Sequence, residues 1–255
     1  MLLELHRITK HFGGIMAVKH VCFGVEEAKI TALIGPNGAG KTTIFNLITG
    51  MYQPDEGEVL LEGKMITGMK PYKTAQAGVS RTFQNLQLFG SMTVLENVMT
   101  GAYLQGKKGF VKSFLSSPER SAEEKKIRVE SLKLLEEVGL AESAGLPAAV
   151  LPFGQQRLLE IARALASQPK LILLDEPAAG LNAAESEILT EYLKKLRSQG
   201  MTMIMIEHDM ETVMEAADRI VVLNFGEVIT QGTPAEIQAH PEVIKAYLGE
   251  DEQIA

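Results

Sequence analysis

Cysteine is nearly missing: the 255 residues hold only Cys22. One thiol cannot close an internal disulfide, and a lone cysteine fits a reducing compartment. Long apolar runs are missing too, since no stretch approaches the ~18 uninterrupted apolar residues that a spanning helix needs. In the opening Met1-Leu2-Leu3-Glu4-Leu5-His6-Arg7, charge arrives before the apolar core of a secretory leader could form, so none is expected. Positive charge is in deficit, with 25 lysines and arginines against 32 aspartates and glutamates and a net charge of −7. That balance argues against a nucleic-acid binder that relies on phosphate neutralisation. Internal repeats and low-complexity linkers are also lacking.

What the chain has is the material of a core. Hydrophobic residues make up 45% and charged residues 22%, which excludes disorder as a global description. The length suits one large domain, or one domain with a modest subdomain, and a soluble cytoplasmic protein is expected. Leu2–Ile8, Ile30–Ile34, Val59–Leu61, Leu171–Leu174, Thr202–Ile206 and Ile220–Leu223 read as strands. Several are nearly unbroken apolar runs, as in a parallel sheet buried on both faces. Between them, Thr42–Thr49 and Gln155–Ala166 read as helices, and Thr93-Val94-Leu95-Glu96 and Ser121-Ala122-Glu123-Glu124 as capping boxes that open helices. Strands alternating with helices imply a layered α/β fold. From Met92 to about Val150 no strand is evident, which suggests an inserted helical subdomain. Lys107, Lys108, Lys112, Arg120, Lys125, Lys126 and Arg128, interleaved with Glu119, Glu123 and Glu124, read there as a solvated face.

Gly35-Pro36-Asn37-Gly38-Ala39-Gly40-Lys41-Thr42 fits G-x-x-x-x-G-K-[ST] between an apolar strand and a helix. Glycines let the backbone wrap a phosphate with its N–H groups inward, and the helix that follows offers its positive end to the same anion. Lys41 can reach the β- and γ-phosphates and the Thr42 hydroxyl can ligate Mg²⁺. The competing reading is an ordinary glycine turn with a solvated lysine. Four fixed positions match by chance in on the order of 1% of chains of this length.

Leu171–Leu174 runs into Asp175 and Glu176, and ligands of open α/β sheets bind beyond the carboxyl ends of strands. Asp175 is expected to hold Mg²⁺ and Glu176 to act as general base on the attacking water; otherwise the two acids simply start a loop. His208 ends another apolar strand, where it can bond a γ-phosphate or orient the glutamate, or be an ordinary surface histidine. Gln84, in Arg81-Thr82-Phe83-Gln84, could reach Mg²⁺ or the lytic water.

Together with Leu151-Pro152-Phe153-Gly154-Gln155-Gln156-Arg157 and Ala179-Gly180-Leu181-Asn182, these motifs stand in the order of an ATP-binding-cassette ATPase. The resemblance covers essentially the whole chain. It is finest to the ATPase subunits of bacterial branched-chain amino-acid importers, through Phe12-Gly13-Gly14, Arg81–Gln84, Asp175–Asn182, Ile206-Glu207-His208-Asp209-Met210 and the ending Ala246-Tyr247-Leu248-Gly249. The resemblance implies a P-loop NTPase core with a mainly parallel sheet, an N-terminal antiparallel β subdomain and an inserted α-helical subdomain. Residues 1–91 and 151–255 would form the core, and 92–150 the insert, with the signature loop at 151–157. It implies Phe12 stacked on adenine and ATP held by Gly35, Pro36, Asn37, Gly38, Ala39, Gly40, Lys41, Thr42 and Thr43. Mg²⁺ would sit at Thr42, Gln84 and Asp175, with catalysis by Glu176, His208 and Gln84. Gly154 and Gln155 would meet the γ-phosphate of a second protomer. The implied partners are a like or related ATPase, two membrane permeases and, indirectly, a periplasmic binding protein, at the cytoplasmic face of the inner membrane.

Two positions depart from the family pattern. Pro152 stands where a serine is common and has neither hydroxyl nor N–H, so the contact in trans must rest more on Gly154 and Gln155. Asn182 replaces a common aspartate, which weakens charge-based coupling across a dimer. The alternatives to an importer subunit are a lipopolysaccharide-type export ATPase and a soluble, non-transport cassette protein.

Overall fold

The computed structural model describes residues 1–103 and 118–248, with the side chains of 118–121 and 246–248 left aside. Lys107, Lys108, Lys112 and Gly249 lie outside the described residues. The chain packs as two compact units, residues 1–81 with 171–255, and residues 82–170.

The first unit is built on two sheets. Strands β1 (Leu3–Phe12), β2 (Ile15–Val25), β4 (Glu56–Leu61) and β5 (Lys64–Met65) form an antiparallel sheet in the order β2-β1-β4-β5. The β1–β2 connection is the two-residue turn Gly13-Gly14, with Phe12 opposite Ile15 and Gly13 at φ 58°, a short hairpin that glycine permits. The second sheet has the order β10-β9-β3-β8-β7-β6, from β3 (Ile30–Ile34), β6 (Val79–Arg81), β7 (Leu171–Asp175), β8 (Thr202–Ile206), β9 (Arg219–Asn224) and β10 (Glu227–Gly232). All its pairings are parallel except β9–β10.

Every residue of β3, β7 and β8 is buried, as their apolar runs anticipate. One set of alternating residues (Leu33, Leu171, Leu173, Ile204, Ile206, Val221, Leu223) shares a core with Leu3, Leu5, Val59 and Phe45. The other set, including Ala32, Ile172, Leu174, Met203 and Met205, is equally buried, so the sheet is covered on both faces. The unit's helices are α1 (Lys41–Ile48), α2 (Pro71–Ala77), α6 (Ala183–Ser198), α7 (Met210–Ala216), α8 (Pro234–Gln238) and α9 (Pro241–Leu248).

The second unit is helical: α3 (Val94–Ala102), α4 (Pro118–Glu137) and α5 (Phe153–Leu165), with no strand among its described residues. It runs 82–170, against an expected insert of 92–150. Thr93 caps α3 through the reciprocal bonds expected of its capping box, Glu96 N–H to the Thr93 hydroxyl at 3.1 Å and Thr93 N–H to the Glu96 carboxylate at 2.8 Å. Ser121 does not open its helix. That helix starts three residues earlier, at Pro118, whose fixed φ and missing N–H suit a first helical position. Helices α3 and α5 touch at Gly101, where an added Cβ would lie 2.0 Å from the Arg163 carbonyl oxygen.

Candidate functional site

Because β3, β8 and β7 are parallel neighbours, the segments that follow them emerge at one edge of the sheet. Those segments are the glycine loop after Ile34, the pair Asp175 and Glu176, and Glu207 with His208. The topology thus gathers the expected phosphate, metal and water residues at the carboxyl ends of strands, where α/β sheets bind ligands.

Backbone geometry explains the glycines of the loop. A Cβ on Gly35 would meet the Leu223 carbonyl oxygen at 2.0 Å, and one on Gly40 would meet the Ala17 carbonyl oxygen at 2.6 Å. Both hold positive φ, 147° and 102°. Gly38, at φ 78°, faces open space with no atom within 4 Å of a built Cβ. Behind the loop, Gly226 N–H donates to the Ala39 carbonyl at 3.1 Å and Lys19 N–H to the Gly226 carbonyl at 2.8 Å. The loop is closed by backbone behind and open in front.

Gly40 is the N-cap of α1 and offers no side-chain cap; the first intrahelical bond runs from Ile44 N–H to Gly40 O at 3.0 Å. The first-turn amides of α1, at Lys41, Thr42 and Thr43, therefore precede the helical ladder, which is the arrangement that receives a phosphate. Lys41 is buried, and its Nζ donates to the carbonyls of Gly35 (2.5 Å) and Pro36 (2.9 Å). Thr42 is exposed beside it, while Asn37 and Gly38 are exposed at the loop's tip. These residues fit a nucleotide's phosphates: a cation, a helix end, and a loop that no side chain fills.

Asp175 is 4% exposed and accepts a 2.6 Å bond from Arg81 Nη2, while Arg81 Nη1 donates to Asn46 Oδ1 at 2.6 Å. The Arg81 guanidinium lies 5.4 Å from the centre of the Phe45 ring. One cation thus ties β6, α1 and β7 together at the expected metal ligand. The donor set of one carboxylate and the Thr42 hydroxyl is all oxygen, as Mg²⁺ prefers when phosphate and water complete its shell. No cluster of three or more His, Cys, Asp or Glu that could hold a metal by itself occurs among the described residues.

Glu176 and His208 come together, with Nε2 of the histidine 3.0 Å from Glu176 Oε1. Glu176 sits at φ 50°, a left-handed conformation that costs a non-glycine residue ~1–2 kcal/mol. It is held by its N–H to the Ile206 carbonyl (2.9 Å) and by Ala179 N–H to its own carbonyl (3.1 Å). Phe12 is 41% exposed, with Tyr52 in an edge arrangement at 5.2 Å between ring centres and Lys10 Nζ over its ring at 5.7 Å from the centre.

The helical unit holds the other expected residues. Gln84 is exposed on a loop clamped by α5. Arg157 donates to the Phe83 and Gln84 carbonyls, both at 3.1 Å, and Glu160 accepts from Phe83 N–H (3.5 Å) and Gln87 N–H (3.3 Å). Arg157 and Glu160, each 1% exposed, also pair at 3.1 Å. Burial pushes the Glu160 carboxyl up, with Arg157 opposing. Pro152 is the N-cap of α5, and the first helical bond runs from Gln156 N–H to the Pro152 carbonyl at 2.9 Å, so the amides of Phe153, Gly154 and Gln155 lead the helix. Asn182 caps α6, accepting from Glu185 N–H at 3.0 Å while Glu185 accepts from Asn182 N–H at 3.0 Å, a structural task that its amide performs without charge.

Residues 18–179 match the ABC transporter family, and residues 227–253 match the branched-chain amino acid ATP-binding cassette transporter family. The chain belongs to the ABC transporter family. It is 45% identical over 250 residues to the high-affinity branched-chain amino acid transport ATP-binding protein BraF of Pseudomonas aeruginosa, with 98% of each chain covered. It is 43% identical, with the same coverage, to LivG of Escherichia coli K12. Among solved structures it resembles the ADP conformation of an ATP-binding cassette of an ABC transporter (33% identity, TM-score 0.85, 97% of this chain and 98% of that one). It also resembles a dimeric bacterial ABC transporter cassette (29% identity, TM-score 0.75, 91% and 98%).

Arg81, Glu207, Arg157 and Glu160 are the residues that motif reading passed over. Arg81, Arg157 and Glu207 stand inside motifs named above, but only the fold shows them to be buried charges with partners.

Proposed function

We propose that this protein is the ATP-hydrolysing, energy-coupling subunit of an importer for branched-chain or related amino acids. The observation that carries the proposal is the convergence of the phosphate loop, Asp175, Glu176 and His208 at the ends of three neighbouring parallel strands. Family membership, with relatives named for branched-chain amino-acid transport, supports the same reading.

In this reading the loop amides and the first turn of α1 bind the β- and γ-phosphates, and Lys41 turns from its own loop carbonyls to the same oxygens. Thr42, Asp175 and Gln84 would hold Mg²⁺, which would supply charge neutralisation for the phosphates. Glu176 orients the attacking water and accepts its proton at the carboxylate. His208, with Nε2 protonated, donates to Glu176 Oε1 and fixes its direction. Phe12 stacks on the base, and the edge-on Tyr52 holds its ring in place.

Two copies pair head to tail, and the leading amides of α5 at Gly154 and Gln155 face the γ-phosphate bound by the partner copy. Because Pro152 brings no hydroxyl, that contact rests more on Gly154 and Gln155. The pair works with two permease subunits fed by a periplasmic binding protein, as a peripheral assembly on the cytoplasmic face of the membrane. Among the described residues no helix is long and apolar enough to cross it.

The test is Glu176→Gln. It should keep MgATP binding, lower turnover by ~10²–10⁴-fold, and form a dimer in sedimentation only when MgATP is present. Turnover near the wild-type rate would remove Glu176 from the mechanism.

A further inference from the structure

Beyond the ends of β7 and β8 the sheet's hydrogen bonding stops. The register closes at Asp175 opposite Ile206, followed by one bond from Glu176 N–H to the Ile206 carbonyl. At the next position a carboxylate takes over. Glu207 is 3% exposed, and its Oε1 accepts Ala178 N–H at 2.6 Å while Oε2 accepts His208 N–H at 3.1 Å. The Asp209 N–H adds to the same carboxylate. Amides from two loops, the one carrying Glu176 and the one carrying His208, thus converge on one buried anion.

The loop it grips is the strained one. Glu176 stays left-handed at φ 50° although no glycine relieves it, and such conformations persist only where the surroundings over-determine them. Ala178 lies two residues on, so fixing its amide fixes the turn that follows Glu176. Gripping His208 N–H sets the backbone from which the imidazole reaches Glu176 Oε1. We infer that Glu207 is the positioning residue of the hydrolytic site, holding Glu176 in its left-handed conformation and His208 against it. Burial pushes the Glu207 carboxyl up, with a smaller push from the Asp209 charge, and the three amides that bond it oppose the shift.

The inference deepens the proposed function and rests on Glu176 as general base. It predicts a loss in the chemical step with nucleotide binding retained, because the hydrogen bonds of the Glu207 carboxylate go to the amides of Ala178, His208 and Asp209, not to the phosphate loop or Phe12. Glu207→Gln is the principal variant: one amide oxygen can serve one loop, while its NH₂ is turned on an N–H donor of the other. Single-turnover hydrolysis and equilibrium MgATP binding should be measured for Glu207→Gln and Glu207→Ala, in both the wild-type and Glu176→Gln backgrounds. The rate should fall by ~10-fold or more, part of the ~10²–10⁴-fold that a general base supplies, with MgATP affinity within about 3-fold. In the Glu176→Gln background neither substitution should lower the residual rate further, since residues that act as a unit are not additive.

Glu207→Gln with wild-type turnover beside an inactive Glu176→Gln would overturn the positioning role alone. So would a loss that multiplies fully in the Glu176→Gln background, or one that falls on affinity and rate in proportion. If Glu176→Gln itself turns over normally, the base assignment falls and this inference with it. Should Glu207→Ala fail to fold, Glu207→Gln, which keeps the shape and one acceptor, carries the test.

Discussion

Arg81→Met isolates the cation that links three elements of the nucleotide-binding unit. Methionine keeps much of the stem but removes the guanidinium. Asp175, whose side chain is 6% exposed, loses its 2.6 Å partner, and Asn46 Oδ1 loses a 2.6 Å donor. Arg81 itself is 7% exposed, so water screens little of the pair. Breaking a buried pair by removing one partner costs about 3–5 kcal/mol, because the remaining charge keeps its burial and loses that compensation. At about 2–4 °C per kcal/mol for a domain of this size, the melting temperature should drop by about 6–20 °C. Urea unfolding of the nucleotide-free protein should show a lower midpoint with an unchanged slope.

The decisive comparison adds Asp175→Asn. With both charges gone nothing is left uncompensated, so the double variant should be more stable than Arg81→Met alone. A double variant whose loss equals the sum of the two single losses, within ~0.5 kcal/mol, would show that the pair is not coupled and would refute the reasoning.

Lys41→Ala should lose tight MgATP binding while keeping the fold, because Nζ is the only buried cation on the loop's own helix; titration with a fluorescent ATP analogue and a circular-dichroism spectrum check both halves. Asn182→Ala should cost about 1 kcal/mol through loss of the α6 capping box, read as a small shift in the denaturant midpoint. Asp55 is pulled down from 3.8 to about 2, first by the bond from Lys10 and next by the amide of His11. Its folded pKa lies below the unfolded one, so the stability it adds is present above about pH 4 and is lost as pH falls toward 2. An NMR titration of the Asp55 carboxyl should show its midpoint near 2, and Lys10→Met should move it upward.

Much of the site was legible because its chemistry is local in sequence. The loop from Gly35 to Thr43 lies within nine residues, and β3 and β8 were read at their true ends because full burial leaves an unbroken apolar run. β2 and β10 were missed for the opposite reason. β2 is bulged at His20 (φ 45°), and β10 is a half-exposed edge strand whose Glu227-Val228-Ile229-Thr230-Gln231 shows no clear period. β6 has only three residues, and its strand character comes from pairing with β7. The buried charges were hidden by distance along the chain. Arg81 meets Asp175 across 94 positions, and Glu207 meets Ala178 across 29, so nothing near either residue advertises its partner.

The strand order has a consequence for how the molecule comes into being. A ribosome that has made the first 170 residues has made all of the antiparallel sheet, whose last strand ends at Met65. Of the other sheet it has made only β3 and β6, which are not neighbours: β8 and β7 lie between them, and β9 flanks β3 on its far side. The nascent phosphate loop, complete as a sequence since residue 43, therefore has no parallel strand beside it until residues 171–224 arrive. Joining β6 to β7 also means closing a loop of about ninety residues, costing only about 2 kcal/mol more than a dozen-residue crossover but giving pairings distant in sequence, which form slowly. The amino-terminal hairpins and the helical unit can fold as they emerge, whereas the capacity to bind nucleotide must switch on late and all at once. Until then β3 is an apolar strand without its sheet neighbours, the kind of transiently exposed surface that makes a growing chain prone to aggregate.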